Sequence, residues 1–181
     1  MHETASIDNF KNEVEGYKYV LIAAHGYYNR KQPELSGILF SPPNNEKQKR
    51  LVSETGKLQR NLGLNNLLPN ENIFYTSDAY NLKLNADLVV LSCCESGLGE
   101  MVNGEGMLGI NRGFLYAGAK NIIFTLFKVY DDVSSELTQS LFKYILAGKN
   151  YSESLRLTKL ELINEKEMEP MCWAGFVLIG V

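Results

Sequence analysis

Three short apolar runs, each closed by polar or glycine residues, constrain this chain more than any other feature. Tyr19-Val20-Leu21-Ile22-Ala23-Ala24 leads into His25-Gly26, and Ala86-Asp87-Leu88-Val89-Val90-Leu91-Ser92 leads into Cys93-Cys94-Glu95-Ser96-Gly97. The third is Lys120-Asn121-Ile122-Ile123-Phe124-Thr125-Leu126-Phe127. A run of this length without polar alternation reads as a strand buried on both faces, the habit of strands in parallel sheets covered by helices. Helix-length stretches separate the runs, so the pattern predicts an α/β fold.

The remaining elements follow from periodicity and punctuation. Residues 4–16 are polar and read as a helix, and Leu35–Phe40 reads as an extended piece stopped by Pro42-Pro43. The polar segment 44–70 has a surface helix at 47–62, and Ile73–Thr76 is a short strand. A helix over 106–117 should end at Gly118, and a second, opened by Asp132 and carrying Leu137, Leu141, Tyr144 and Ile145 at helical spacing, should end at Gly148. Ser152 is the expected cap of a helix to Asn164, and residues 173–179 read as a closing strand.

With 181 residues the chain suits one domain with a real core, and a net charge of -3 gives no footprint for nucleic acid or an anionic membrane. No apolar run approaches a membrane span, and the polar start of the chain does not read as a signal peptide. The three cysteines are Cys93, Cys94 and Cys172. An odd count with two adjacent members argues against a disulfide framework and for a reducing compartment. No spaced Cys/His quartet exists for zinc.

Reacting groups in an open α/β sheet collect outside the carboxyl ends of its strands. His25 and Cys94 stand at two such ends. If the strands are neighbours, the pair is a base beside a nucleophile that it can activate. The plainer reading of His25 is a core histidine closing a strand, but Gly26 lets a substrate approach the backbone and leaves an N–H to donate. The plainer reading of Cys94 is a small buried hydrophobe. Strand alternation gives that fate to Cys93, because successive side chains point to opposite faces. Asp131 and Asp132 read either as the start of a helix, favoured by its dipole, or as carboxylates at the sheet edge ready to bind a cation. Gly104-Glu105-Gly106-Met107-Leu108-Gly109 spells a dinucleotide fingerprint, with Asp131 further on. Residues 93–103 separate it from the strand, which removes the strand-to-helix turn that such a site needs.

At these residues the chain resembles the CHAT family of caspase-like cysteine peptidases, related to caspases and separases. The resemblance runs from about Tyr17 to Val181. It rests on Ala24-His25-Gly26, Leu35-Ser36-Gly37-Ile38-Leu39, Ala86 through Gly97, Asn103-Gly104-Glu105-Gly106, Phe114 through Ala119, Leu126-Phe127-Lys128-Val129 and Trp173 through Gly180. It implies a caspase-like three-layer sandwich with a mostly parallel central sheet and helices on both faces. It also implies a His25/Cys94 dyad, an oxyanion hole from the N–H groups of Gly26 and Cys94, and no cofactor. Separases, which cut after arginine, carry an acidic residue near the position of Asp131, so the resemblance makes Asp131 the candidate base of the S1 pocket.

Departures are Cys93 where alanine is usual, Ser96 for threonine, Phe127 for tryptophan and Tyr130 for a common aspartate. The implied division is an extension or preceding region at 1–16 and a peptidase domain at 17–181. Caspase-like domains carry strands before the histidine strand, and CHAT domains often sit behind helical repeats. The chain is therefore expected to be the C-terminal part of a longer protein or a reduced version. The implied function is a cytoplasmic cysteine endopeptidase acting on a protein or peptide substrate, with a basic P1 preference. The second reading is a latent or pseudo-peptidase regulatory module that needs an activating protein partner or an N-terminal repeat region. The third is a dinucleotide-binding α/β protein.

Overall fold

The computed structural model describes residues 6–27, 35–41, 72–94, 109–127 and 129–180, with the backbone alone at Tyr27, Cys93 and Cys94. The expected helix at 47–62 lies outside the described residues. Six strands form one sheet: β1 (Tyr19–Tyr27), β2 (Gly37–Leu39), β3 (Ile73–Tyr75), β4 (Leu88–Cys94), β5 (Asn121–Thr125) and β6 (Phe176–Gly180). Their order is β3-β2-β1-β4-β5-β6. β1, β4 and β5 are parallel neighbours, while β2 runs against β1, β3 against β2 and β6 against β5. β1, β3, β4 and β5 therefore share one direction, and the three apolar runs are the three central strands.

Helices cover both faces. On one side lie α1 (Ile7–Glu13), α2 (Thr76–Tyr80) and α3 (Ile110–Tyr116). They enclose a core that includes Val20, Ile22, Phe74, Val89, Leu91, Phe114 and Ile122. On the other lie α4 (Asp131–Leu146), α5 (Tyr151–Asn164) and α6 (Pro170–Trp173), over Leu88, Val90, Ile123, Leu137, Leu141 and Phe176. This is the expected three-layer sandwich. α1 belongs to it: Ser6 Oγ accepts the N–H of Asn9, and the Phe10 ring meets Phe40 at 5.3 Å and Phe74 at 5.5 Å.

Leu88 to Leu91 have no exposed surface, as a strand buried on both faces requires. β1 departs from that expectation. Val20 and Ile22 are buried, but Leu21 is 47% exposed. Among the described side chains of β1 the second core takes only Tyr19, because α4 and α5 pack over β4, β5 and β6.

Three element ends differ from the sequence reading or sharpen it. α5 is capped by Asn150, whose Oδ1 accepts the N–H of Glu153 at 2.8 Å, so Ser152 falls inside the helix. Asn is as good a cap as Ser and here comes first in the chain. Trp173 closes the short helix α6 instead of opening the last strand, since Pro170 is pre-set for a first helical turn. Gly118 ends α3 as expected, with a φ of 114°. Its N–H donates to Leu115 O and that of Ala119 to Phe114 O, both at 3.0 Å, a complete Schellman motif.

The amino edge of the sheet is pinned by one carboxylate. Asp87, just before β4, meets Lys120 at 2.6 Å and Lys18 at 3.2 Å, while its carbonyl accepts the Asn121 side chain at 3.0 Å. Hydrogen bonds from Lys120 and then Lys18 hold the Asp87 carboxyl below its ordinary value. The three parallel strands thus start level.

A second carboxylate ties α4 to α5. Glu161 Oε2 accepts from Ser140 Oγ at 2.8 Å, Tyr144 Oη at 2.9 Å and Lys143 Nζ at 3.4 Å. These bonds, Ser140's first, hold its carboxyl below the ordinary range. A depressed folded pKa contributes stability that is present above the unfolded value and lost as pH falls through the folded one. Glu161→Gln should therefore lower the urea midpoint at neutral pH, and the difference should shrink well below the ordinary glutamate value of about 4.3. Equal losses at neutral and acid pH would show that the carboxylate's charge does not carry this tie.

Candidate functional site at the carboxyl edge of the sheet

The chain leaves β1 toward β2 and β3 on one side and returns to β4 on the other. β1 and β4 therefore flank the point where the strand order reverses, the place where open α/β sheets form a crevice outside their carboxyl ends. The β1–β4 ladder pairs Tyr19 with Leu88 and continues in step to Ala24↔Cys93 and His25↔Cys94. The strand that the sequence suggested would end at Ala24 thus runs on through His25, and the positions of the proposed base and nucleophile are direct register partners.

The backbone around position 25 is held first from one side and then from the other. β4 pairs with β1 up to His25, and β2 takes over at once with Gly26↔Ile38 and Tyr27↔Gly37. A functional group on such a strand is placed more precisely than one on a loop. His25 is exposed, following Leu21 and Ala23 along the uncovered face of β1. Gly26, the expected oxyanion donor, is half-buried and sits where the ladder passes from one neighbour to the other.

On its other side β4 parts from β5 early. That ladder ends at Leu91↔Phe124, before Ser92, Cys93 and Cys94. The last residues of β4 thus continue beyond their pairing with β5. Past Thr125, Leu126 donates its N–H to Gly175 O at 2.9 Å, and α4 begins at Asp131. Asp131 therefore lies beyond the carboxyl end of β5, one strand over from Cys94. It is exposed and occupies the first helical position; the cap is Tyr130, which makes no side-chain cap bond. Asp131 and Asp132 thus stand in the first turn, as the helix-start reading expected, and the helix opens one residue before Asp132. Asp132 Oδ1 accepts the N–H of Val133 at 2.8 Å.

Of the four expected site residues, the fold brings His25, Gly26 and Cys94 together on two adjacent strands and sets Asp131 on the same edge beyond the next. Of the fingerprint-like glycines only Gly109 falls within the described residues, where it precedes α3. The other glycines of that segment lie outside the described residues. Among the described residues no cluster of His, Cys, Asp or Glu is placed to hold a metal ion. No helix among them is long and apolar enough to cross a membrane.

One neighbour of the site was not visible beforehand. Gly175, just before β6, lies against the Phe127 ring, so the segment after β5 rests on the segment before β6. The only sequence sign of it is a small residue after Trp173-Ala174.

Comparison with known proteins gives two mammalian relatives and one family. Tetratricopeptide repeat protein 28 of Mus musculus is 32% identical over 111 residues, covering 61% of this chain but 4% of its own length. The Homo sapiens protein of the same name is 29% identical over 111 residues, with the same coverage. The chain thus spans only a small fraction of these relatives. The family model of the CHAT domain matches residues 1–181, and the chain belongs to that family, which is related to the caspase-like cysteine peptidases.

Proposed function

We propose that this domain is a cysteine endopeptidase in which His25 and Cys94 form the catalytic dyad. The observation that carries the reading is the His25↔Cys94 register at the carboxyl end of the two strands flanking the switch point. In this mechanism the Cys94 thiolate attacks the scissile carbonyl carbon. Protonated His25 gives its proton to the leaving amine as the C–N bond breaks. Water, deprotonated by His25, then releases the acyl group from the Cys94 sulfur. The N–H groups of Gly26 and Cys94 hold the oxyanion, and loss of one such donor would cost about 10²–10³ in rate. Thiolate chemistry of this kind suits a reducing, cytoplasmic setting.

Asp131 is the proposed base of the P1 pocket. A carboxylate there can take an arginine fork by two charge-assisted hydrogen bonds and repel an acidic P1 residue. The second reading, a regulatory module that acts only with a partner, is favoured by the relatives' names, since both are tetratricopeptide repeat proteins of which this chain spans 4%. A repeat region beside the domain, or an activating protein, would then order the site.

A positional-scanning peptide library decides between them. The wild-type domain is expected to cleave after Arg or Lys and Cys94→Ala to be inactive. Cleavage by Cys94→Ala would remove the dyad, and activity seen only when a flanking repeat region or activating partner is supplied would favour the regulatory module. Asp131→Asn should cut kcat/KM for basic peptides strongly. Its cost in stability should be about 1 kcal/mol or less, because asparagine keeps the shape of the side chain and a charge in a helix's first turn contributes about that much. Unchanged hydrolysis of basic peptides, or a preference for P1 Asp, would take Asp131 out of the pocket.

A further inference from the structure

We infer that Phe10 is a positioning residue: through Phe74 and Ile38 it seats the stretch of β2 that holds Gly26, and so sets where the Gly26 peptide stands beside the dyad. The inference rests on the peptidase reading above, in which the N–H of Gly26 holds the oxyanion. β2 pairs with β1 only at Gly26↔Ile38 and Tyr27↔Gly37. The β1–β4 ladder has ended one residue earlier, at His25↔Cys94. Among the described strand pairings, Gly26 is therefore held by β2 alone. β2 and β3 are three residues long each, and a pair of such strands needs a packed face behind it to stay in place.

α1 packs that face. Ile38 and Phe74 are register partners, both buried in the first core. The Phe10 ring meets Phe74 edge-on, 5.5 Å away at 88°, and Phe40 at 5.3 Å. The Phe40 N–H donates to Asn72 O at 2.8 Å, which closes the end of β2 onto the start of β3. One row of contacts thus runs from Phe10 through Phe74 and Ile38 to Gly26. A second runs beside it. Lys11 Nζ lies 2.7 Å from Asp78 Oδ1, Asp78 Oδ2 accepts the Tyr75 N–H at 2.9 Å, and Tyr75 pairs with Gly37, the partner of Tyr27. The Lys11 pair is partly exposed and such pairs contribute little alone, so the ring carries the seat. Residues 1–16, which the sequence sets apart as an extension, therefore contain the helix that backs the strand beside Gly26. Without the Phe10 ring, β2 can shift while the dyad keeps its register on β1 and β4. A displaced oxyanion donor is felt in the transition state and not in substrate binding.

The test uses a peptide with P1 arginine and four proteins: wild type, Phe10→Ala, Phe10→Tyr and, as a control for lost stability, Leu155→Ala in the second core. Each is assayed well below its thermal midpoint. Phe10→Ala is expected to lower kcat about 5–10-fold with KM within about twofold, the signature of an interaction made only in the transition state. If Phe10→Ala does not fold, Phe10→Leu takes its place, with a smaller fall of the same kind. Phe10→Tyr keeps the ring and, at a half-buried position, can turn its hydroxyl to water, so it should match wild type. Leu155→Ala should keep kcat. Amide hydrogen exchange adds a readout independent of turnover: it should quicken at Gly26 and Tyr27 in Phe10→Ala and stay slow at Leu88 to Leu91. An unchanged kcat in the folded variant would overturn the inference while leaving the peptidase reading in place. So would exchange at Gly26 no faster than in wild type, or an equal loss of kcat in Leu155→Ala. No turnover by wild type would overturn the reading of the chain as an active peptidase, and this inference with it.

Discussion

The parallel ladder between β1 and β4 is the constraint on which the rest depends. It runs through seven residue pairs, from Tyr19↔Leu88 to His25↔Cys94, without a break. At its amino end Lys18 and Lys120 share the carboxylate of Asp87. Along its length the four residues Leu88 to Leu91 are fully enclosed by two separate cores. A slip of one residue would turn the buried Val20 and Ile22 to the open face and move position 94 opposite Ala24 or Gly26. The same forces that choose the register therefore choose which residue stands beside His25.

That frame also separates the central ladder from the segment that follows β5. Positions 25 and 94 lie on the two central strands, where each is the register partner of the other. Asp131 opens α4, and before it Phe127 and Val129 hold the chain after β5 to the second core.

Much of this was legible in the chain itself. The central strands showed because a strand inside a covered sheet has no polar positions to interrupt it, and Gly118 and Gly148 marked helix ends because both adopt positive φ. What stayed hidden was set by contacts between distant residues. The carboxylate tying Lys18 to Lys120 joins groups far apart in sequence, and nothing in Asp87 alone announces it. The choice of Asn150 over Ser152 as a cap turned on two nearly equal residues. The open face of β1 could not be read from Leu21 or Ala23, because whether a strand face is covered depends on where helices from another part of the chain settle. The pairing of His25 with Cys94 could be framed as a condition, that the two strands be neighbours, but only the topology could meet it.

The central claim is that His25 activates Cys94. Its most direct test is the pH dependence of iodoacetamide alkylation, followed residue by residue by mass spectrometry, in wild type and in folded His25→Ala. An imidazolium beside a thiol stabilises the thiolate below the ordinary thiol value of about 8.5. The account predicts that Cys94 is the main labelled cysteine in wild type and reacts much faster than in His25→Ala near about pH 6, where imidazole is commonly charged. Superimposable profiles in the two proteins, or predominant labelling of Cys93 or Cys172, would contradict it.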